Sequence, residues 1–237
     1  LDFVPFGAGK EPAVNTALLG LVGKISATGF VVIAILVLLS VWSLGVSLER
    51  LFVLSRARRQ SIAFARAVSP HLAEGGRAQT AIEAARRFPH SHVARVVAAG
   101  LSTFQQKSAK GLSAAEVIEA TGRALARTAM QTTEELNRGV ASLGTIATTA
   151  PFIGLFGTVV GIVHAFKAIA LAGGQTGFET ISRGIAEALF TTALGLVVAV
   201  PAAWMFNFIS QRVQHLGVEM ESSSSELIDY FLERERG

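Results

Sequence analysis

The apolar run GIAEALFTTALGLVVAVPAAWMF, Gly184–Phe206, contains a carboxyl group, Glu187, and two adjacent hydroxyls, Thr191 and Thr192. A second apolar run lies between Arg138 and Lys167, GVASLGTIATTAPFIGLFGTVVGIVHAF. It holds Thr158, with Ser142, Thr145, Thr148 and Thr149 crowded toward its start. An acid inside a bilayer span is costly unless it faces a cavity or a partner. The alternative for Glu187 is a place at the membrane interface, solvated or beside Arg183 one turn earlier. For each hydroxyl, the competing role is a local bond to the carbonyl four residues back. Pro151 and Pro201 lie in the same two runs, where a proline kinks or locally unwinds a helix. The carbonyls freed in this way serve structure or line a water path.

Other chemistries find no support. The chain has no cysteine, which excludes disulfides and thiolate metal sites. Its five histidines show no metal-ligand spacing, and His90 and His92, following Pro89, read as a turn. No nucleophile–base set, metal cluster or phosphate loop is present, so an enzyme is not expected. The net charge is +4, but the basic residues are not gathered into a patch with interleaved aromatics, so nucleic acid is not an expected partner.

The polar groups must be positioned by membrane helices. Just over half of the 237 residues are hydrophobic and 16% are charged, against about a quarter charged in ordinary soluble domains. Three stretches lack charge over the ~20 residues that a bilayer requires. The expected layout is an N-terminal segment at 1–24, a first span at 25–48 and a charged helical region at 49–138. A second span at 139–170, a short link at 171–182, a third span at 183–209 and a helical tail at 210–237 follow. The first apolar run is too long, and too poorly led by positive charge, for a cleavable signal peptide. Most of the 21 Lys and Arg lie between the first and second spans, and the link LAGGQTGFET has none. The positive-inside rule then puts the charged region and the tail in the cytoplasm and the N-terminus outside.

The charged region reads as helical. TAIE at Thr80–Glu83 and SAAE at Ser113–Glu116 fit the capping box. Pro70, Gly75, Gly76, Pro89 and Gly111 punctuate it. With no proline from Ser113 to Ala150, one long helix is expected to run from Ser113 through the second span. The third span is expected to extend into the tail.

Two stripes of small residues mark the second and third spans. Ala150, Gly154, Gly157, Gly161 and Ala165 share one helical face, with Gly157–Gly161 forming a GxxxG match. Gly184, Ala188, Thr191, Gly195, Ala199 and Ala202 share another. Small residues let helix backbones approach closely in lipid. The stripes pack the two spans on each other, or pack part of the surface on neighbouring subunits. Two such stripes in a three-helix protein favour oligomerisation.

The segments TIATTAPFIGLFGTVVGIVHAF and GIAEALFTTALGLVVAVPAAWMFN resemble the paired signature of the MotA/TolQ/ExbB proton-channel family, in its ExbB/TolQ branch. The resemblance is tight from Thr145 to Asn207 and architectural over Ile25–Arg138. It implies an all-α integral membrane protein with long cytoplasmic helical extensions, assembled as a homopentamer around a central pore. It implies a single-span ExbD/TolR-like dimer in that pore, which carries the titrating aspartate. It also implies a TonB- or TolA-like protein that delivers work across the envelope, with protons as the coupling ion and no other cofactor. Location in the bacterial inner membrane follows. By the same resemblance, Thr158, Thr192 and Glu187 are the pore positions, and Thr191 adds a hydroxyl where relatives often have alanine. Two rival functions remain. A passive membrane scaffold would recruit proteins through its basic helices. A small-solute transporter would show inverted repeats and more spans.

Overall fold

A computed structural model of the chain describes residues 26–73, 78–171 and 178–236. The N-terminal segment 1–24 and residues 172–177 of the link lie outside the described residues. The described residues form six helices: α1 Ala27–Ala73, α2 Ala78–Arg86, α3 His92–Ser108, α4 Ala114–Asn137, α5 Val140–Leu171 and α6 Phe178–Arg236. Helices α1, α5 and α6 each contain a stretch long and apolar enough to cross a membrane. Helix α6 continues to Arg236 through Gly217 and carries the tail, as its lack of breakers predicts.

Two local expectations need correction. The long helix from Ser113 is broken in two. Asn137 ends α4, Arg138 is extended with ψ 128°, and Gly139 takes φ +79° before α5 starts at Val140. A left-handed glycine just past a helix end satisfies terminal carbonyls as effectively as a proline stops a helix. Thr80 does not cap a helix, since α2 already begins at Ala78. The Ser113–Glu116 box is present: the Ser113 hydroxyl accepts from the Glu116 N–H, and the Glu116 carboxylate accepts from the Ser113 N–H. The Ser113 hydroxyl also donates to the Glu116 carboxylate at 2.7 Å, and this bond, with that from the Ser113 N–H, holds the Glu116 carboxyl below its ordinary range.

The chain divides into two compact units. One comprises the described residues up to Trp42 together with Thr145–Ala202. Its core is small and aliphatic: Val32, Leu36, Ile146, Ala150, Val198, Ala199 and Ala202. Its aromatic side chains point outward, with Phe152 69%, Phe156 61% and Phe166 68% exposed, as expected where the surroundings are lipid or a partner helix.

The other unit comprises Ser43–Gly144 and Ala203–Gly237. It buries large side chains in two clusters. One is built on Phe64, Leu101, Leu125, Met220 and Phe231, where Phe231 stacks on Phe104 with centroids 3.9 Å apart. The second joins Leu54, Leu143, Ile209 and Leu216. Polar clamps supplement them. Arg95 makes a two-pronged bond to the Glu135 carboxylate at 2.5 and 3.0 Å, and buried Arg50 donates to the Glu135 carbonyl at 3.2 Å. The Arg95 guanidinium holds the Glu135 carboxyl below its ordinary range.

Candidate functional site

The two small-residue stripes meet each other inside the membrane unit. A Cβ on Gly154 would lie 2.8 Å from the Thr191 carbonyl oxygen, and one on Gly195 would lie 2.7 Å from the Ala150 carbonyl oxygen. Gly161 opposes Ala188, and Gly184 opposes Ala165, each with only 2.9 Å for an added Cβ. The stripes therefore bring α5 and α6 together backbone to backbone. They are used within one chain, which removes the argument from stripes to oligomerisation. The surface left for other subunits or lipid is the bulky one.

This close approach positions the hydroxyls. Because nothing larger than hydrogen stands at Gly154, its carbonyl is open to side chains of α6. It accepts from Thr192 at 3.1 Å and from Thr191 at 3.4 Å, and from Thr158 on its own helix at 3.2 Å. Thr158 also reaches the Ala188 carbonyl at 3.3 Å and shares a hydrogen bond with the Thr192 hydroxyl. A carbonyl oxygen has two lone pairs. Three hydroxyls and the helical N–H of Thr158 thus compete for Gly154, and the threonine protons have more than one consistent arrangement. A half-buried hydroxyl pair with exchangeable bonding is suited to give a hydrogen bond to a carboxylate, to accept one from a carboxylic acid, or to relay a proton.

The two adjacent threonines part company here. Thr191 is 1% exposed. Its hydroxyl donates to the Ala188 carbonyl at 2.7 Å, and a Cβ on Gly157 would lie only 2.6 Å from its oxygen. It fills the seam between α5 and α6, while Thr192 is the half-buried partner of Thr158. Toward the start of α5, Thr149 bonds to the carbonyl four residues back, at Thr145, and Thr148 and Ser142 bond to those three back, at Thr145 and Gly139. These are the local bonds expected of hydroxyls in apolar helices.

Glu187 has a partner that sequence reasoning did not supply. Its carboxylate accepts from the Ser26 N–H at 3.0 Å and from the Ser26 hydroxyl at 2.6 Å. Ser26 in turn accepts from the Gly29 N–H at 3.1 Å and so caps α1. A carboxylate at a helix N-terminus is stabilised by unpaired N–H groups and the helix dipole. Ser26 also lies 3.3 Å from the Thr28 hydroxyl, which reaches His164 Nδ1 at 3.4 Å. The polar set thus runs from Glu187 through Ser26 and Thr28 to His164. The only advance signal was a serine placed where a cap belongs, just before the first apolar run.

Helices α5 and α6 run through Pro151 and Pro201 without unwinding. Each proline lacks the N–H that would bond to Ala147 or Val197. Among the described residues, no group of three His, Cys, Asp or Glu could hold a metal ion.

The sequence profile of the MotA/TolQ/ExbB proton channel family matches residues 90–222, more than half of the chain. Over 129 residues the chain is 36% identical to the Tol-Pal system protein TolQ of Pseudomonas aeruginosa, covering 54% of this chain and 55% of that protein. It is 41% identical over 115 residues to TolQ of Haemophilus influenzae, covering 48% of each. It is 32% identical over 151 residues to the biopolymer transport protein ExbB of Xanthomonas campestris pv. campestris, covering 64% of this chain and 55% of the relative. The chain spans about half the length of the curated relatives it matches.

Proposed function

The chain belongs to the MotA/TolQ/ExbB proton channel family, ExbB/TolQ branch, and is a multi-pass protein of the bacterial inner membrane; on that premise we propose that it is the channel-forming stator subunit of a proton-driven envelope motor. In this reading five copies surround a pore, with the N-terminus outside and the charged unit in the cytoplasm. A single-span ExbD/TolR-like dimer occupies the pore and carries the titrating aspartate. The Thr158–Thr192 pair serves as this chain's docking point for that acid. Five identical sites around two partner helices cannot all be satisfied at once, so each protonation event advances the dimer to the next site. A membrane potential of 100 mV supplies about 2.3 kcal/mol per proton, so several protons per cycle are needed to bias a mechanical step. The output passes to a TonB- or TolA-like protein.

The observation that carries this reading is the threonine pair with shared, exchangeable hydrogen bonds at the Gly154 carbonyl. Glu187 serves a different end. Its bonds to Ser26 support a role in seating the first span at the outer side, and through that in fixing the mouth of the path. The exposed aromatic face of α5 supports contacts with neighbouring copies. The test is Thr158→Val, co-expressed with the partner. Loss of proton-driven activity in an assembled complex is expected, with partial activity in Thr158→Ser. Full activity in Thr158→Val rules out the hydroxyl's role. A scaffold acting through its basic helices would instead keep its activity after the proton gradient is collapsed.

A further inference from the structure

His92 opens α3, and its side chain is fully buried. Its Nδ1 lies 2.9 Å from the Ser61 hydroxyl of α1, and its Nε2 lies 2.8 Å from the Glu219 carboxylate of α6. Ser61 is also 2.8 Å from the Ser91 hydroxyl, which accepts from the Ala94 N–H as the cap of α3. One imidazole therefore ties the start of α3 to two other helices. All three serine and histidine side chains are buried, so each proton in the set needs an acceptor inside it.

Only one neutral arrangement closes the chain. A carboxylate can only accept, so Nε2 must carry the proton and donate it to Glu219. Nδ1 then accepts from the Ser61 hydroxyl, Ser61 accepts from the Ser91 hydroxyl, and Ser91 accepts from Ala94. An imidazolium reverses this order. Nδ1–H donates to Ser61, and Ser61 must donate to Ser91. Ser91 then accepts twice, and its own buried proton has no acceptor left in the set.

We propose that His92 is a proton-operated latch: neutral, it fastens α3 to α1 and α6, and protonated, it releases them. The groups that bear on it are few. Glu219 of α6 touches the ring and favours the charged form. Arg58 and Arg59 of α1 and Arg212 and His215 of α6 line the same groove as Glu219. Arg95, on α3 itself, is engaged by Glu135 of α4, and exposed His90 gives its N–H to Gln60 of α1. Burial outweighs the Glu219 bond and charge and pushes the imidazole below its ordinary 6.5. The folded chain then holds fewer protons than the unfolded one below that value. The latch therefore weakens as pH falls through it and below. Under the orientation proposed above, the latch senses the cytoplasm, the side that acidifies when proton influx outruns export. The geometry itself does not depend on that reading.

The test is amide hydrogen exchange on the full chain in nanodiscs, corrected for intrinsic rates, at about pH 7.5 and about pH 5.5. Protection across 90–101 should fall in the wild type by up to about tenfold per pH unit below the midpoint, while 114–137 stays unchanged. His92→Gln accepts from Ser61 and donates to Glu219 but cannot charge, so it should lose the pH response. No loss in the wild type, or the same response in both proteins, overturns the proposal. A variant with His92 as its only histidine gives an independent check by 15N spectroscopy. The Nε2–H tautomer is expected at the higher pH and the doubly protonated ring at the lower. The Nδ1–H tautomer, or an imidazolium already present at the higher pH, overturns it.

Discussion

The two units hold their helices together by opposite means. In the membrane unit the backbones come close: a Cβ built on Gly154 would lie 3.3 Å from the Gly195 Cα and one on Gly195 3.1 Å from the Gly154 Cα, and the bulky side chains point out. In the charged unit Phe231, Leu101, Leu125 and Met220 are buried. The difference follows from the solvent. Burying a phenylalanine against lipid gains almost nothing, because lipid is as apolar as the protein interior. Close backbone packing and hydroxyl-to-carbonyl bonds must then do the joining, and those same bonds build the Thr158–Thr192 site. Where water is the solvent, each buried apolar side chain contributes about 1.5–3 kcal/mol, and large residues move inside.

The largest effect expected from this contrast is in the charged unit. Phe231→Ala removes a side chain that is 1% exposed and stacked on Phe104, at a cost of about 3–5 kcal/mol. Denaturant unfolding in micelles would read the loss. Hydrogen exchange should confine it to the charged unit, and a matching loss of protection in Thr145–Ala202 would break the separation of the two units.

A single methyl group at two glycines sharpens the contrast further. Gly195→Ala pushes a Cβ to 2.7 Å from the Ala150 carbonyl oxygen and 3.1 Å from the Gly154 Cα. Backbone cannot step aside, so about 1–3 kcal/mol is lost or the spans separate. Gly100→Ala produces a nominally tighter contact, 2.6 Å, but all its close neighbours are side-chain atoms: Leu125 Cδ2, Leu227 Cδ2 at 3.0 Å and Leu125 Cγ at 3.1 Å. Flexible leucine side chains can shift by a few tenths of an ångström where backbone cannot, and alanine gains about 0.5–1 kcal/mol over glycine in a helix. The net effect at Gly100 should be about 1 kcal/mol or less. Equal losses at the two sites would mean that side-chain and backbone neighbours yield alike, and the contrast between the units would fail.

The same contrast explains what was legible in the sequence. The three spans are legible because they are set by composition, and the Ser113–Glu116 box because it is set by residues three apart. The stripes are legible as faces, but a helical wheel does not say what lies against a face. Nor does it separate Thr191, sealed in the seam, from Thr192, paired with Thr158. Glu187 and Ser26 are 161 residues apart, and His92 meets Ser61 and Glu219 at separations of 31 and 127. No local pattern encodes such pairs. His92 follows Pro89 closely and looks like turn, although the turn ends at Ser91 and the histidine begins the next helix. Gly139 sits at the edge of a glycine-rich apolar run. There a stop signal looks like one more packing residue, since glycine is frequent in membrane helices.

Gly139 also supplies the smallest and cleanest test, because it is the converse of Gly195. At Gly195 the backbone is helical and there is no room; at Gly139 φ is +79° and an added Cβ would meet only Val46 Cγ1 at an ordinary 3.6 Å. Gly139→Ala therefore carries a conformational cost of about 1–2 kcal/mol with no steric one. Gly111, at φ +71° with nothing within 4 Å, provides the reference. The two alanines should destabilise equally, within about 0.5 kcal/mol, by denaturant unfolding in micelles. A clearly smaller loss at 139 than at 111 would mean that the substituted chain escapes the strain by joining α4 to α5 in the unbroken helix that the sequence suggests. The left-handed glycine would then be what keeps the two helices distinct.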